Sequence, residues 1–429
     1  MTPMDKAPMA VVTSGVSTDS RPGRVAAARD ARLLAAVDVG TVSTRLILAE
    51  VNGAGRVRPL ERQAIITNLG SGVDATGALE PAAIERTRST VAGYGTRLAE
   101  LAVAGHPAER IAVTLTSAAR DASNASELLD RLDALGLDPQ VIPGEVEARL
   151  SLLGVTSDFP GQDVLVADIG GGSTELIEGR RTVTAGVTAS GVTAPGAIIP
   201  GMTAMHAGAP DAIACGMASV SCAASPDAAP ASGEAASAAG ALTVGRGVSY
   251  DVGCRRVTER FFGAAEVPSA EVIAEARSFV RATLAPFFET AVQDRLDAPA
   301  SLACVGGTAT SLVAVANRLV PYDSDFVHLH RTPHAQVSEL AQRLLAMDVR
   351  ARRELPGLQP KRADVIAAGA LILDELMRLG GFPEYVASES DSLFGLLACM
   401  RCALDGTASP IGWLPRTSPA APFLEACRP

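Results

Sequence analysis

The chain has 429 residues, 48% of them hydrophobic and 20% charged, enough for two or three domains with sizeable cores. A net charge of −10 argues against a general nucleic-acid binder, so a polyanionic ligand would need a local basic cleft set in an acidic surface. Seven scattered cysteines suit a reducing cytoplasm, and with no apolar span of membrane length and no signal-peptide core the chain is expected to be cytoplasmic, with no nucleic-acid or membrane partner.

Residues 1–32 are polar, Ala-rich and punctuated by proline, and are expected to form a disordered leader. Order starts with the apolar run Leu33–Val37, which turns at Asp38-Val39-Gly40-Thr41 and returns as Thr44–Glu50. Asn52-Gly53 then offers a hairpin turn into a third strand, Arg56–Thr67, so a β-meander opens the fold. Ile84, Val91, Leu98 and Leu101 recur at helical spacing after Glu80-Pro81. Ile111–Leu115 reads as a strand, Ala118–Leu135 as helical, Val141-Ile142 as a short strand and Glu145–Leu153 as a helix.

The pattern then restarts. The apolar run Val164–Ala167 leads into Asp168-Ile169-Gly170-Gly171-Gly172-Ser173-Thr174-Glu175, about 130 residues after the first Asp-x-Gly turn, which predicts an internal duplication. Three successive glycines let backbone N–H groups converge on phosphate oxygens without Cβ interference. Ser173 and Thr174 add hydroxyl donors, and Asp168 and Glu175 bracket the loop with the hard oxygen ligands that Mg²⁺ beside phosphate prefers. Residues 182–242 shift to Ala, Gly, Ser, Thr and Pro and read as a low-complexity insertion in a hairpin; His206, Cys215 and Cys222 fall inside it. Order is expected to resume near Val248, with helices over Arg255–Phe262 and Ala270–Phe288. A buried strand at Leu302–Val305, a helix from Gly306-Gly307-Thr308, a helix over Ala363–Arg378 and a last strand at Tyr385–Ala387 follow. Cys399 and Cys402 sit in an apolar helical run and read as structural thiols, and His328, His330 and His334 as structural histidines.

Several segments together carry a resemblance. They are Asp38–Leu46, Thr116–Asn124, Gly144–Leu150, the Asp168–Glu175 loop, Asp251–Arg260, Gly306–Thr310, Arg362–Ile366 and Ser388-Glu389. In this order they resemble the exopolyphosphatase / guanosine pentaphosphate phosphohydrolase family in its short form, over residues 33–180 and 247–397. The resemblance implies an α/β fold of the actin, sugar-kinase and heat-shock ATPase superfamily, with two RNase-H-like domains flanking a cleft. Domain I would span 33–160 and domain II 161–387, with a helix over 388–404 packing back on domain I and an extended tail over 405–429.

The resemblance also implies roles. Glu147 matches the family's catalytic glutamate and would be the general base, with Glu145 a competing candidate. Arg120 would clamp the terminal phosphate, and Asp38, Asp168 and Glu175 would hold Mg²⁺ or another divalent cation. Thr41, Ser43, Gly170, Gly171, Gly172, Ser173, Thr174 and Gly307 would donate to phosphate oxygens, while Arg45, Arg255 and Arg256 would line the track for the rest of the chain. Val42 stands where the family usually has asparagine, and Val146 removes a carboxylate beside the base. The implied activity is release of terminal phosphate from polyphosphate, or from guanosine pentaphosphate. The two valines leave open a non-catalytic sensor of polyphosphate or alarmone, and the superfamily leaves open an ATP-dependent phosphotransferase. Family members often form homodimers.

Overall fold

A computed structural model describes residues 30–182, 240–263, 267–289 and 301–428; nearly all of the leader and most of the insertion, with His206, Cys215 and Cys222, lie outside them. The first sheet is built from β1 (Arg32–Val39), β2 (Ser43–Val51), β3 (Val57–Ile66), β4 (Arg110–Leu115) and β5 (Pro139–Val141). β1 pairs antiparallel with β2 and parallel with β4, β2 continues antiparallel to β3, and β4 continues parallel to β5. Central β1 is apolar almost throughout because both faces are covered, as a strand between two helical layers requires.

The second sheet repeats this arrangement with β6 (Asp163–Ile169), β7 (Thr174–Arg181), β8 (Leu242–Tyr250), β9 (Ser301–Val305) and, beyond it, β11 (Glu384–Ala387). β6–β7–β8 is the antiparallel meander, and β6, β9 and β11 run parallel; β10 (Arg331–Pro333) adds antiparallel to β11. The expected duplication is therefore present in topology, and the two mixed sheets give the α/β fold that the sequence predicted. β8 starts six residues before the expected Val248, at Leu242, because β7 offers a free edge that pairs it from Leu242 onward.

On the outer face of the first sheet, the helix Pro81–Val103 buries Ile84, Val91, Tyr94 and Leu98, and the Tyr94 hydroxyl donates to the Thr44 carbonyl. Helices Ala270–Glu289, Gly306–Ala316 and Ile366–Gly380 cover the outer face of the second sheet. Between the sheets lie two helices. Gly144–Val155 gives Ala148, Leu152 and Val155 to the second sheet, and Leu150 and Leu153 to a cluster with Leu34, Ala36 and Ile47. Ser392–Asp405 joins that same cluster through Leu393, Leu396, Leu397 and Met400. The two helices approach so closely that a Cβ on Gly395 would lie 2.0 Å from the Leu150 carbonyl oxygen, and one on Gly154 would lie 2.3 Å from that of Asp391.

Two expectations need correction. The segment read as one helix, Ala118–Leu135, is two, Ser117–Asp121 and Ala125–Asp133, broken where the Asn124 side chain binds the Leu79 backbone through both its oxygen and its nitrogen. The tail after Asp405 is not simply extended. β12 (Ser418–Pro419) pairs with β4 at Arg110 and Ile111, and the helix Ala420–Ala426 buries Phe423 beside Gly95. Prolines between 410 and 422 hide this short amphipathic turn from a reading by periodicity. Among the described residues, no helix is long and apolar enough to cross a membrane.

Candidate active site

The site grows from the two turns that the duplication places face to face. The stretches 38–46 and 168–176 read Asp-Val-Gly-Thr-Val-Ser-Thr-Arg-Leu and Asp-Ile-Gly-Gly-Gly-Ser-Thr-Glu-Leu. In both, the glycine N–H closes the turn on the serine carbonyl at 3.0 Å, Gly40 on Ser43 and Gly170 on Ser173. In both, the buried threonine hydroxyl binds beside the third strand of its own sheet, Thr44 to Thr67 and Thr174 to the Val252 carbonyl. Thr174 is fully buried and so committed, which corrects the expectation that it faces phosphate. Half-buried Ser43 serves its turn through its carbonyl.

In the Gly170–Ser173 loop, the Gly170 and Gly171 carbonyls accept from the N–H groups of Cys254, Arg255 and Arg256. The Gly171 and Gly172 N–H groups have no acceptor among the described residues. The glycines are also required by crowding. A Cβ on Gly171 would stand 2.6 Å from Val42 Cγ2, and one on Gly172 2.3 Å from Ser117 Oγ and 3.0 Å from Thr41 Oγ1.

Arg120, in the helix after β4, donates to Glu147 Oε2 at 2.7 Å and to the Ile142 carbonyl at 3.0 Å, and its Nη2 reaches Ser173 Oγ at 3.4 Å. Glu147, Arg120 and the Ser173 turn are thus brought together from three separate elements. Burial and the nearby negative charge of Glu175 push the Glu147 carboxyl well above the usual range, against the opposing pull of Arg120. Glu145, the competing candidate, points outward and pairs with Arg149 at 2.6 Å. Val146 packs into the apolar cluster between the sheets.

Glu175 lies opposite Asp168 in the β6–β7 register. Burial raises its carboxyl to about 7, Asp168 adding to the rise, while the hydroxyl of Ser249, donating to Oε1 at 2.7 Å, opposes it. Burial likewise raises Asp168 to about 6, against the pull of Arg45 and of Ser151, whose hydroxyl donates to Oδ2 at 3.0 Å. Asp38 is 5% exposed and raised by burial, with Arg45 pulling the other way.

Arg45 is bound to protein carboxylates. Its guanidinium donates to Asp38 Oδ2 at 2.7 and 3.0 Å and to Asp391 Oδ2 at 2.5 Å, and reaches Ser392 Oγ at 3.2 Å. Arg255 donates to Asn68 Oδ1 at 2.6 Å, while its buried Nε has no hydrogen-bond partner among the described residues. Arg256 donates to the Gly172 carbonyl at 2.8 Å and to Asp121 at 2.6 Å, and pairs with Asp74 at 2.7 Å. Thr41, Ser117, Gly172, Arg255 and Arg256 together line a void of only about 10 Å³. Gly307 lies beneath the Arg362 guanidinium, which would stand 1.8 Å from a Cβ there. The Arg362 guanidinium has no hydrogen-bond or ion-pair partner among the described residues, and burial depresses its pKa.

Asp391, Ser151, Ser249 and Arg362 were given no role from sequence. Only Asp391 carried a local signal, an acid just before an apolar helical run, and it does cap that helix by accepting from the Leu393 N–H. The three C-terminal histidines do not converge: His334 binds Asp374, His328 accepts from the Glu389 N–H and His330 stacks on Phe326. A roomier groove of about 620 Å³ lies between the Ala270–Glu289, His334–Leu345 and Ile366–Gly380 helices and contains none of the sequence-predicted site residues.

Paired strand–turn–strand lobes with a glycine loop, an arginine and buried carboxylates between them define the phosphate-handling class of actin-like ATPase folds. The chain belongs to the Ppx/GppA phosphatase family, whose model matches residues 46–190 and 227–379. It is similar to Exopolyphosphatase 2 of Mycobacterium tuberculosis, with 32% identity over 378 residues, 85% of this chain and 97% of the relative. Two solved structures share the fold. An Aquifex aeolicus Ppx/GppA family member is 23% identical with a TM-score of 0.60, covering 88% of this chain and 100% of that one. An exopolyphosphatase from Cytophaga hutchinsonii is 20% identical with a TM-score of 0.65, covering 89% and 100%.

Proposed function

We propose that the protein hydrolyses inorganic polyphosphate from its end, releasing orthophosphate. The observation that carries this reading is the Arg120–Glu147 pair, held 2.7 Å apart at the lip of the glycine loop, with the Glu147 carboxyl kept unusually basic. Arg120, the free N–H groups of Gly171 and Gly172, and the Ser173 hydroxyl would hold the terminal phosphate oxygens. Arriving phosphate draws Arg120 from Glu147 and leaves that carboxylate free to accept a proton from water. The water oxygen attacks the terminal phosphorus, the anhydride P–O bond breaks, and the negative charge leaves on the shortened chain. Arg362, with no acceptor of its own, would take a phosphate further along.

The donors fit a divalent cation. Asp38, Asp168 and Glu175 are hard oxygen ligands whose carboxyls burial lifts above the usual range. Among the described residues no three such groups already converge on one point, so phosphate and water would complete the shell, as Mg²⁺ prefers. A bound Mg²⁺ would neutralise phosphate oxygens. The cysteines described are all free, which fits a cytoplasmic location.

The test is phosphate release from long-chain polyphosphate and from guanosine pentaphosphate, with Mg²⁺, by wild type and Glu147→Ala. The variant should release phosphate roughly 10²–10⁴-fold more slowly. On the acid side, wild-type kcat/KM should fall about tenfold per pH unit, with its inflection above the ~4.3 of an ordinary glutamate. Faster turnover of guanosine pentaphosphate would reassign the substrate. Tight binding of either without release, by folded wild type, would replace the hydrolase by a sensor.

A further inference from the structure

The first residues after β8 form a short helix, Cys254–Val257, that continues as a wider turn over Thr258–Phe262. Its start is bound to the glycine loop, since the N–H groups of Cys254 and Arg255 donate to the carbonyls of Gly170 and Gly171. Its side chains cross to the other lobe. Arg255 donates to Asn68 Oδ1, and the Glu259 carboxylate accepts from the Gly72 N–H at 3.2 Å. Arg256, between them, has each of its three nitrogens engaged: Nε on the Gly172 carbonyl, Nη2 on Asp121 and Nη1 on Asp74. Three of the five N–H donors of this arginine are thus spent on protein acceptors.

What Arg256 joins is informative. Gly172 belongs to the loop whose Gly171 and Gly172 N–H groups have no acceptor among the described residues. Asp121 directly follows Arg120 and also accepts from Ser117 Oγ at 3.3 Å. Arg120 itself meets the loop only through the long 3.4 Å contact to Ser173. The spacing between the arginine and the loop is therefore set from behind, by the guanidinium spanning Gly172 and Asp121. We propose that Arg256 is a positioning residue for phosphate release, fixing the Gly170–Ser173 loop of one lobe against the Arg120 helix of the other. This rests on the hydrolase reading above; phosphate held between loop and Arg120 is in line for attack only while the two keep their separation, and small misplacements are costly in kcat.

The full chain should be compared as wild type, Arg256→Gln, Asp121→Asn and the double variant, each shown to be folded by circular dichroism. Phosphate release from long-chain polyphosphate with Mg²⁺ would be fitted for kcat and KM separately. Each single variant should lose kcat about tenfold or more with KM within about twofold of wild type, and the double should be no worse than the poorer single. Guanidinium ion added to Arg256→Gly should restore part of kcat. A steep rise in KM at unchanged kcat for Arg256→Gln, with Asp121→Asn unaffected, would overturn the proposal in favour of direct phosphate contact. Additive losses in the double variant would overturn it too. Hydrogen exchange at the Gly170–Thr174 amides reads the same contact without substrate. Exchange should quicken in both single variants, and unchanged exchange counts against the proposal even if wild type proves inactive on polyphosphate, which would be a failure of the hydrolase reading alone.

Discussion

The two lobes carry one motif and use it for opposite ends. Seven residues after the turn aspartate, the first lobe has Arg45 and the second Glu175, each directly opposite its aspartate in an antiparallel register. In the first lobe the result is a buried ion pair, Arg45 bridging Asp38 and Asp391. In the second it is two facing carboxylates, Asp168 and Glu175, with carboxyls raised to about 6 and about 7. Like charges opposite one another weaken a sheet, whereas opposite charges support it. The first lobe has thus neutralised its turn, while the second holds negative charge in reserve, at a cost in stability, where a cation and phosphate would be handled. One side-chain difference in a duplicated frame separates an ion-paired turn from one with facing carboxylates.

That contrast predicts stability changes of opposite sign at equivalent positions. Arg45→Met leaves Asp38 and Asp391 buried without their cation, and should cost about 3–5 kcal/mol in urea denaturation at pH 8. An unchanged midpoint would mean that the pair is not what holds the first turn. Glu175→Gln removes one of two facing charges while keeping an acceptor for Ser249, and should stabilise the metal-free protein by about 1–3 kcal/mol at pH 8 while lowering activity. The pH dependence has a definite sign. A carboxyl raised to about 7 in the folded state binds more protons than its unfolded counterpart. Wild-type stability is therefore lost as pH rises from ~4.5 through 7, and the advantage of Glu175→Gln should grow over that window. A Glu175→Gln advantage that is the same at pH 5 and pH 8 would show that the two carboxylates are not in conflict.

Much of this was legible from residues alone. Apolar runs ending in Asp-x-Gly about 130 residues apart announced the duplication, and the glycine triplet with its flanking acids announced the loop. The partners of Arg45 were not legible, because Asp391 lies 346 residues away and arrives on a helix that threads between the sheets. Separation in sequence likewise hid Ser249 behind Glu175, 74 residues away with the insertion between them. Arg255 and Arg256 read as track residues because a basic pair beside a phosphate loop is consistent with either role. Only the positions of Asn68, Asp74 and Asp121 show which protein groups each of them binds. Local chemistry shows in local sequence; which charge neutralises which is a property of the assembled lobes.

The smallest effect concerns the fifth position of the motif, Val42 in the first lobe and Gly172 in the second. Asparagine at Val42 was expected to add a polar contact to phosphate, and the valine to be a loss. Val42 instead lies 6% exposed among Ile66, Ile169, Val252 and Cys254, with its Cγ2 against Gly171. Its methyls seal the contact between the two turns from behind. Val42→Asn would bury an amide there without a ready partner and should cost about 1–2 kcal/mol, seen as a lower thermal midpoint. KM for polyphosphate should be unchanged, because the side chain packs into this apolar cluster and not toward phosphate. A KM that falls severalfold in Val42→Asn would place position 42 in the phosphate site after all.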